Sequence, residues 1–443
     1  MFTSVSTVVS YLLVPGLLLL IFFLYRNVNA VNSKILRAVC LAAITIYSGL
    51  FIFVFPGFVS IDDVYTIEQA NLGVASVWQS YSYSVLLFAG YRLTGCFGIL
   101  TLLSLLIYFI IFIRFVKIID GSGISEKKKT VFSVLLLLLA LHPLNQALLL
   151  FQCRDTLFSL IFFYLSLLLL EKNKVTGAGV FLLLALLGDL RPEGKVFLIL
   201  FPVAYWIAKK CSWKLPLGAM VLLSLLLCSS VTDYAYKVTV YILPLSKIFH
   251  DNPNEDRTDI EAVLDVDKLI ENYSAYDIES IRHGVFKANP TETRWNLFRE
   301  RAHALIAKHL QLVFETRVQL MQSLLFFGDP PLIVYDALSV SANSKMGERL
   351  SRAQVQGVQR GEYQSTYLQK LSGLQSWLAI LAALAALLYC LFIKEFRMMA
   401  VMIILRLLLL FAFAPANYVK YAYVLVLFFT FIPVVLGRKK PCL

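Results

Sequence analysis

Long apolar runs, separated by short polar connections, make up most of the chain. Several runs reach or approach the roughly 18 apolar residues that a helix needs to cross a bilayer. Reading every run in this way predicts about eleven spans and an α-helical polytopic membrane protein. The spans cover residues 8–25, 38–56, 97–117, 131–150, 155–170, 175–190, 195–208, 215–232, 373–393, 398–414 and 418–436.

Composition excludes the main alternative, a soluble globular domain. Of the 443 residues, 59% are hydrophobic and 15% are charged, whereas soluble domains have about 45–50% and about 25%. The formal net charge is +12, but the basic residues lie in small clusters at the ends of apolar runs. Such clusters are typical of topology signals. We therefore expect the lipid bilayer, and no nucleic acid, as a partner.

The basic clusters fall in alternate connections between the predicted spans. The positive-inside rule puts these connections in the cytoplasm. The N-terminus is then outside and the C-terminus is cytoplasmic. The residues concerned are Arg26, Lys34, Arg37, Lys117, Lys127, Lys128, Lys129, Lys172, Lys174, Lys209, Lys210, Lys214, Lys394, Arg397, Arg438, Lys439 and Lys440.

Two long connections lie on the outer side, at residues 57–96 and 233–372. The second contains most of the acidic residues, interspersed with basic ones, and predicts a solvated, mainly helical extracytoplasmic domain. It separates an N-terminal transmembrane module (1–232) from a C-terminal one (373–443). Within it, residues 291–322 repeat apolar residues at helical spacing. This predicts an amphipathic helix that lies on the membrane or a partner, or one that faces the core of the domain.

Two adjacent aspartates follow the second predicted span and a Pro-Gly break. Asp62 and Asp63 would lie just outside the membrane, where a carboxylate can act as a general base. The alternative is an acid that caps or starts a helix at residues 64–71.

Three more polar clusters lie at the outer ends of predicted spans, and each contains a cation. Arginine and lysine recognise phosphate through charge-assisted hydrogen bonds, so cations converging on this side could bind a lipid-linked phosphate. The alternative is a structural ion pair between an arginine and a neighbouring acid. The clusters are Arg154-Asp155, Asp189 with Arg191-Pro-Glu193-Gly, and Lys420-Tyr421.

Arg406 lies inside an apolar run, where a charge costs at least ~2.5 kcal/mol. It could reach a lipid phosphate, pair with an acid on another helix, or extend to the interface from a shifted span. His142 and His250 also lie toward the outer side, and each fits a structural role better than a catalytic one.

The order of these clusters resembles that of polytopic GT-C class glycosyltransferases, in particular bacterial mannosyl- and arabinosyl-transferase types. The resemblance rests on a Pro-Gly-x-x-Ser-x-Asp that ends at Asp62, a Gln-Ala with Trp78 further on, an Arg-Asp pair, an Arg-Pro-x-Gly and a late basic residue followed by Tyr. The sequence departs from the family at Trp78-Gln79-Ser80, where Trp-His-Pro is expected, at Glu193 in place of Asn, and at Lys420 in place of Arg.

The resemblance implies a GT-C-like fold and an inverting transfer of a sugar from a polyprenyl-phosphate donor to an acceptor hydroxyl of a surface glycan or lipid-linked glycan. Asp62 or Asp63 would take the proton. The implied phosphate-binding residues are Arg154, Arg191, Arg406 and Lys420, supported by Asp155, Asp189, Glu193, Trp78, Gln79 and Tyr421. A divalent metal, Mg²⁺ or Mn²⁺, is compatible with this chemistry but not required by it.

Two other functions stay open at this point. An O-antigen or surface-polysaccharide polymerase also uses many spans, a large outer loop and outward-facing arginines, but it would not require Asp62. A transporter or lipid-glycan flippase would show related halves and charged residues near the membrane midplane. The basic pattern and the resemblance together predict a bacterial inner-membrane location.

Overall fold

The computed structural model describes a predominantly helical chain. The described residues are 2–53, 58–59, 61–74, 79–94, 98–170, 177–208, 210–212, 214–228, 234–273, 281, 284–287, 289–322, 324–325, 378–414 and 419–437. The chain divides into two compact units. The first unit comprises Met1–Cys228, Pro331–Ile404 and Tyr423–Leu443, and the second comprises Ser229–Pro330 and Leu405–Ala422.

The first unit is built from helices and one short pair of strands. Its helices up to residue 228 are α1 (Phe2–Asn29), α2 (Lys34–Phe53), α3 (Ile61–Asn71), α4 (Tyr81–Thr94), α5 (Ile99–Asp120), α6 (Glu126–Ala140), α7 (Pro143–Leu150), α8 (Arg154–Leu168), α9 (Gly177–Leu190), α10 (Gly194–Ile207) and α11 (Lys214–Cys228). Strand β1 (Phe58–Val59) pairs with β2 (Phe151–Gln152) in parallel.

Three helices of the described chain are long and apolar enough to cross a bilayer, which confirms the coarse class that the sequence predicts. They are Ser4–Asn29, Lys34–Ile52 and Ile99–Asp120. Large apolar side chains of α1 stay exposed, such as Tyr11 at 78% and Leu19 at 68%. Shorter apolar helices occur at Gly179–Leu190, Gly194–Ile207, Lys214–Ser224, Leu378–Phe392 and Lys420–Leu436.

The single helix predicted over residues 131–150 is instead a bent pair. Helices α6 and α7 meet at an angle of 57° and would together make a fourth span. The break occurs at Pro143, because proline has no backbone N–H to continue the hydrogen-bond ladder. His142 caps α7, and its Nδ1 accepts a hydrogen bond from the backbone N–H of Leu144 at 3.3 Å. The structure thus gives His142 a structural role.

A buried polar hub holds this break in place. The side-chain amide nitrogen of Asn145 lies 2.9 Å from the hydroxyl oxygens of Tyr47 and Tyr108 and 2.7 Å from the carbonyl oxygen of Ala140. Tyr423 donates its hydroxyl to the Asn145 side-chain oxygen at 2.9 Å. The hub joins five helices of the first unit, and α7 leads directly into β2. It therefore fixes the strand that positions the site.

The second unit has a small core of its own. Its elements are α12 (Tyr234–Asp251), α13 (Val266–Glu271), α14 (Glu292–Lys308) and α15 (Leu310–Gln322), the C-terminal part of α17 (Arg397–Phe413) and the 3₁₀ turn Val419–Ala422. Two helices of the first unit, α16 (Leu378–Phe392) and α18 (Tyr423–Leu436), lie on either side of α17 in the chain.

Residues 291–322 form two consecutive helices, α14 and α15, rather than one. The apolar residues of α14 pack inside the second unit, as the core-facing interpretation predicts: Trp295, Phe298, Ala302 and Leu305 are buried. The ring centroids of Phe298 and Tyr241 on α12 are 5.5 Å apart. Surface ion pairs reinforce this packing, since Glu255 contacts Lys308 at 2.5 Å and His309 at 2.9 Å.

Candidate functional site

A short parallel strand pair joins two of the motifs that the sequence singles out. Phe58 pairs with Phe151, and Val59 pairs with Gln152. Helix α3, which carries Asp62 and Asp63 in its first turn, begins just after β1. Helix α8 begins at Arg154, just after β2. The strand pair therefore brings the first turns of α3 and α8 together.

Asp63 is buried at this junction and is held by two hydrogen bonds. Its Oδ1 accepts the hydroxyl of Tyr83 at 2.7 Å, and its Oδ2 lies 3.5 Å from the side-chain nitrogen of Gln152. Gln152 in turn accepts the backbone N–H of Gly98 at 2.9 Å. Burial, together with the adjacent Asp63, raises the pKa of the Tyr83 hydroxyl well above its usual value. Tyr83 therefore stays protonated and donates to Asp63.

The start of α8 supplies the second part of the site. Cys153 caps the helix through its sulfur, which accepts from the backbone N–H of Asp155. Asp155 is buried in the first turn, where the helix dipole favours a negative charge. Arg154 is half-buried and acts electrostatically on Tyr83.

Arg191 connects the start of α8 to the turn between α9 and α10. Its guanidinium pairs with Asp155 through Nη1 and with Glu193 through Nε, the latter at 2.6 Å. A Cβ at Gly194 would overlap with the carbonyl oxygen of Leu187, so only glycine allows this close turn. Arg191 therefore forms a structural ion pair with its neighbour Glu193, and it also pairs with Asp155 from another cluster.

Asp189 fastens the same turn to α4. Its Oδ2 accepts the backbone N–H of Ser82 at 2.7 Å, one residue before Tyr83. Gln79 precedes α4, and its side-chain oxygen is buried with no hydrogen-bond partner among the described residues. Trp78 and the side chain of Asp62 lie outside the part that the structure describes. We refer to Asp63, Tyr83, Gln152, Asp155, Arg191, Glu193 and Asp189 as the carboxylate cluster.

Two predicted cations belong to the second unit. Arg406 is 2% exposed within α17. Lys420 is 9% exposed in the 3₁₀ turn, and its ammonium lies 5.4 Å from the centre of the Tyr421 ring. The burial of Arg406 excludes the interpretation that its side chain extends to a bulk aqueous surface. His250, also in this unit, is partly exposed, hydrogen-bonds its neighbour Asp251 at 2.8 Å and contacts the Tyr273 ring.

Sequence reasoning missed three polar residues of these regions. Gln152 interrupts an apolar run just before Arg154, which is a signal that could have identified it. Tyr83 has no such signal, because tyrosine is common in apolar segments. Arg317, on α15, is hidden among other charged residues of the outer domain, and only its burial at 8% exposure distinguishes it.

Comparison of the chain with protein-family models, curated proteins and solved structures gives no significant match. Among the described side chains, no group of three or more histidines, cysteines or acids could hold a metal ion.

Proposed function

We propose that the chain is a GT-C-like membrane glycosyltransferase with about eleven spans, as its apolar pattern predicts. It would transfer a sugar from a polyprenyl-phosphate donor to a hydroxyl of a surface glycan or lipid-linked acceptor. The reaction would occur on the outer face of a bacterial inner membrane, with the N-terminus outside and the C-terminus in the cytoplasm.

One observation carries the proposal. Three polar motifs that lie far apart in the sequence meet in the carboxylate cluster, at the ends of four helices. Asp63 comes from the first motif, Asp155 from the second and Arg191 from the third, and hydrogen bonds or ion pairs connect them to neighbouring elements. Buried polar groups that need this many matched partners are costly to keep for packing alone. Their convergence favours a chemical role.

The proposal assigns the general base to Asp62. Asp63 is buried and its oxygens are hydrogen-bonded to Tyr83 and Gln152, which favours a positioning role over contact with an acceptor hydroxyl. Asp62 is the preceding residue of α3 and lies about 100° further around the helix. In the reaction, the acceptor oxygen bonds to the anomeric carbon, the bond to the phosphate oxygen breaks, and the hydroxyl proton passes to Asp62.

Asp63 is then a positioning residue. Its bonds to Tyr83 and Gln152 tie the first turn of α3 to α4 and to β2. Arg191 is a positioning residue as well, because it already neutralises Asp155 and Glu193. Arg154, at the first turn of α8, would stabilise the departing phosphate. The buried side-chain oxygen of Gln79 would accept a sugar hydroxyl.

The proposal is tested by transfer of labelled sugar from polyprenyl-phosphate donors in membranes with matched expression of the wild type, Asp62→Asn and Asp63→Asn. We expect transfer by the wild type and loss of transfer in Asp62→Asn. Full activity in both variants would contradict the mechanism and favour the polymerase. The absence of wild-type transfer from every donor would contradict the proposal and favour polymerase or transport.

A further inference from the structure

The beginnings of α2 and α6 meet the end of α5 at one end of the first unit. Asp120, the last residue of α5, accepts the backbone N–H of Asn32 at 3.0 Å through its side chain. The same carboxylate lies 3.6 Å from the ammonium of Lys129 on α6. Lys117, one turn before Asp120, donates to the side chain of Asn27 on α1 at 2.7 Å. These contacts bring the ends of four helices together.

This end of the unit carries an excess of positive charge. Residues 26–37 and 117–129 contain seven cations and two acids. Both acids, Asp120 and Glu126, contact the same cation, Lys129, at 3.6 and 2.9 Å. The other six cations have no carboxylate partner in the described part of the chain. We refer to the seven cations as the basic end; they are Arg26, Lys34, Arg37, Lys117, Lys127, Lys128 and Lys129.

An exposed apolar stripe continues from one of these cations along α6. Lys127, Val131, Val134 and Leu138 follow at spacings of four, three and four residues, so they share one side of the helix. All four are exposed, and Val131 and Leu138 are each 62% exposed. The stripe is about 16 Å long. A cation at one end of such a stripe matches a phospholipid, which joins a phosphate to apolar chains.

Helix α2 repeats this arrangement beside α6. Lys34, Ala38 and Leu41 are exposed and follow at spacings of four and three residues. The two helices run in the same direction: Asp120 contacts the beginning of both, and further along the Tyr47 hydroxyl of α2 donates to the Ala140 carbonyl of α6. Lys34 and Lys127 therefore lie at the same end of two neighbouring helices.

The structural alternative is that these cations only orient the chain during insertion. The positive-inside rule depends on how many lysines and arginines a connection contains. It does not require that two connections share one carboxylate, and it gives the folded chain no preference for one lipid over another. This role therefore explains the sign of the charge, but it leaves most of the cations of the basic end without a counter-charge.

We propose that the basic end binds the headgroups of anionic phospholipids, with Lys34 and Lys127 contacting the phosphate and the exposed stripes of α2 and α6 contacting the acyl chains. Each ammonium would donate to phosphate oxygens, and the headgroup would supply the missing negative charge. The proposed topology puts this surface at the cytoplasmic leaflet. The preference for anionic lipid does not depend on the proposed sugar transfer.

The test is native mass spectrometry of the full chain with phosphatidylglycerol and with phosphatidylcholine of the same acyl chains. The measured quantity is the ratio of their dissociation constants for the first bound lipid. We expect the wild type to prefer phosphatidylglycerol by about fivefold or more, the factor that one cation near a membrane surface gives. Lys34→Gln combined with Lys127→Gln should bring the ratio close to one and leave phosphatidylcholine binding unchanged.

Two further double variants separate charge at this surface from charge in general. Lys34→Arg with Lys127→Arg keeps both charges and should keep the preference. Arg294→Gln with Arg299→Gln removes two exposed cations from α14 in the second unit and is the matched control. It should bind both lipids as the wild type does.

Three results would overturn the proposal: equal binding of the two lipids to the wild type, an unchanged preference in the Lys34→Gln, Lys127→Gln variant, or an equal loss in the matched control. If the glutamine double variant does not fold, Lys127→Gln alone replaces it and should lower the preference; an unchanged preference there would overturn the proposal. A preference for phosphatidylglycerol in a chain that transfers no sugar would contradict the proposed function and keep the lipid surface.

Discussion

The two units differ in how their described buried arginines are compensated. In the first, Arg191 is paired with two acids, and Asp63 accepts hydrogen bonds from Tyr83 and Gln152. In the second, Arg317 has a carbonyl as its described acceptor. A cluster that supplies its own counter-charges suits a neutral reactant such as a sugar hydroxyl.

The largest expected effect concerns the base. Asp62→Asn removes the proton acceptor but keeps the size of the side chain, so transfer should fall by about 10²–10⁴-fold. The measurement is the initial rate of transfer at saturating donor, together with the pH–rate profile. Asp63→Asn is the matched comparison. It should reduce the rate less than Asp62→Asn does, and the fall of the rate at acidic pH should remain in its pH–rate profile. Equal losses in both variants would argue against the division between base and positioning residue.

The next effect is on stability. Arg191→Met leaves Asp155 and Glu193 as buried carboxylates without their shared cation, and should destabilise the chain by about 3–5 kcal/mol. Arg317→Gln leaves no described carboxylate unpaired and keeps a side-chain N–H that can donate to the Ala414 carbonyl, so its cost should be at most about 1 kcal/mol. Thermal unfolding in detergent compares the two. Arg257→Met, at an exposed ion pair, is the control. Similar losses for Arg191 and Arg317 would remove the distinction between these two buried arginines.

A smaller effect is expected at Tyr83. Tyr83→Phe deletes a buried hydrogen bond to Asp63, at a cost of about 1–3 kcal/mol. Thermal unfolding and transfer kinetics should both change, with a lower kcat and a nearly constant KM. Tyr11→Phe, at an exposed position on α1, should change neither. An unaltered Tyr83→Phe would show that the contact with Asp63 does not position α3.

The smallest effect is a pH dependence at the surface of the second unit. Hydrogen bonds from Lys308 and His309 lower the pKa of Glu255 below its usual 4.5. The folded state therefore binds this proton less readily than the unfolded state, and the stabilisation present above about pH 4.5 is lost as the pH falls through the lowered pKa. Glu255→Gln should narrow the difference between the melting temperatures at pH 7 and at about pH 4. If the melting temperatures at the two pH values differ equally in the wild type and in Glu255→Gln, the contacts of Glu255 with Lys308 and His309 are not a source of acid sensitivity.

The sequence predicts the helices better than their breaks and contacts. Apolar runs are long and redundant, so helices such as α1, α2 and α5 follow from hydropathy alone. The bend at Pro143 needed the tertiary context, because a proline can end a helix or be accommodated within one. The partners of Arg191 illustrate the same limit. Glu193 lies two residues away, but Asp155 comes from another helix that only the fold brings near.

Burial was the property least accessible from sequence. Asp62 and Asp63 are chemically identical neighbours, and only the fold distinguishes the residue that Tyr83 and Gln152 hold. Arg317 lies in a helix of mixed polar and apolar residues, as the exposed Arg299 on α14 does, and the sequence does not show which of the two is buried. Local pattern gives the face of a helix, whereas the neighbours that cover that face come from distant segments.

The division of roles between the two aspartates is tested most directly by one paired measurement: the pH–rate profile of sugar transfer for Asp62→Asn and Asp63→Asn in the full chain. We predict that Asp62→Asn loses the acidic limb of the profile together with about 10²–10⁴-fold of the rate. Asp63→Asn should keep the limb and lose less of the rate. A profile without the limb in Asp63→Asn, or an intact profile in Asp62→Asn, would contradict the division.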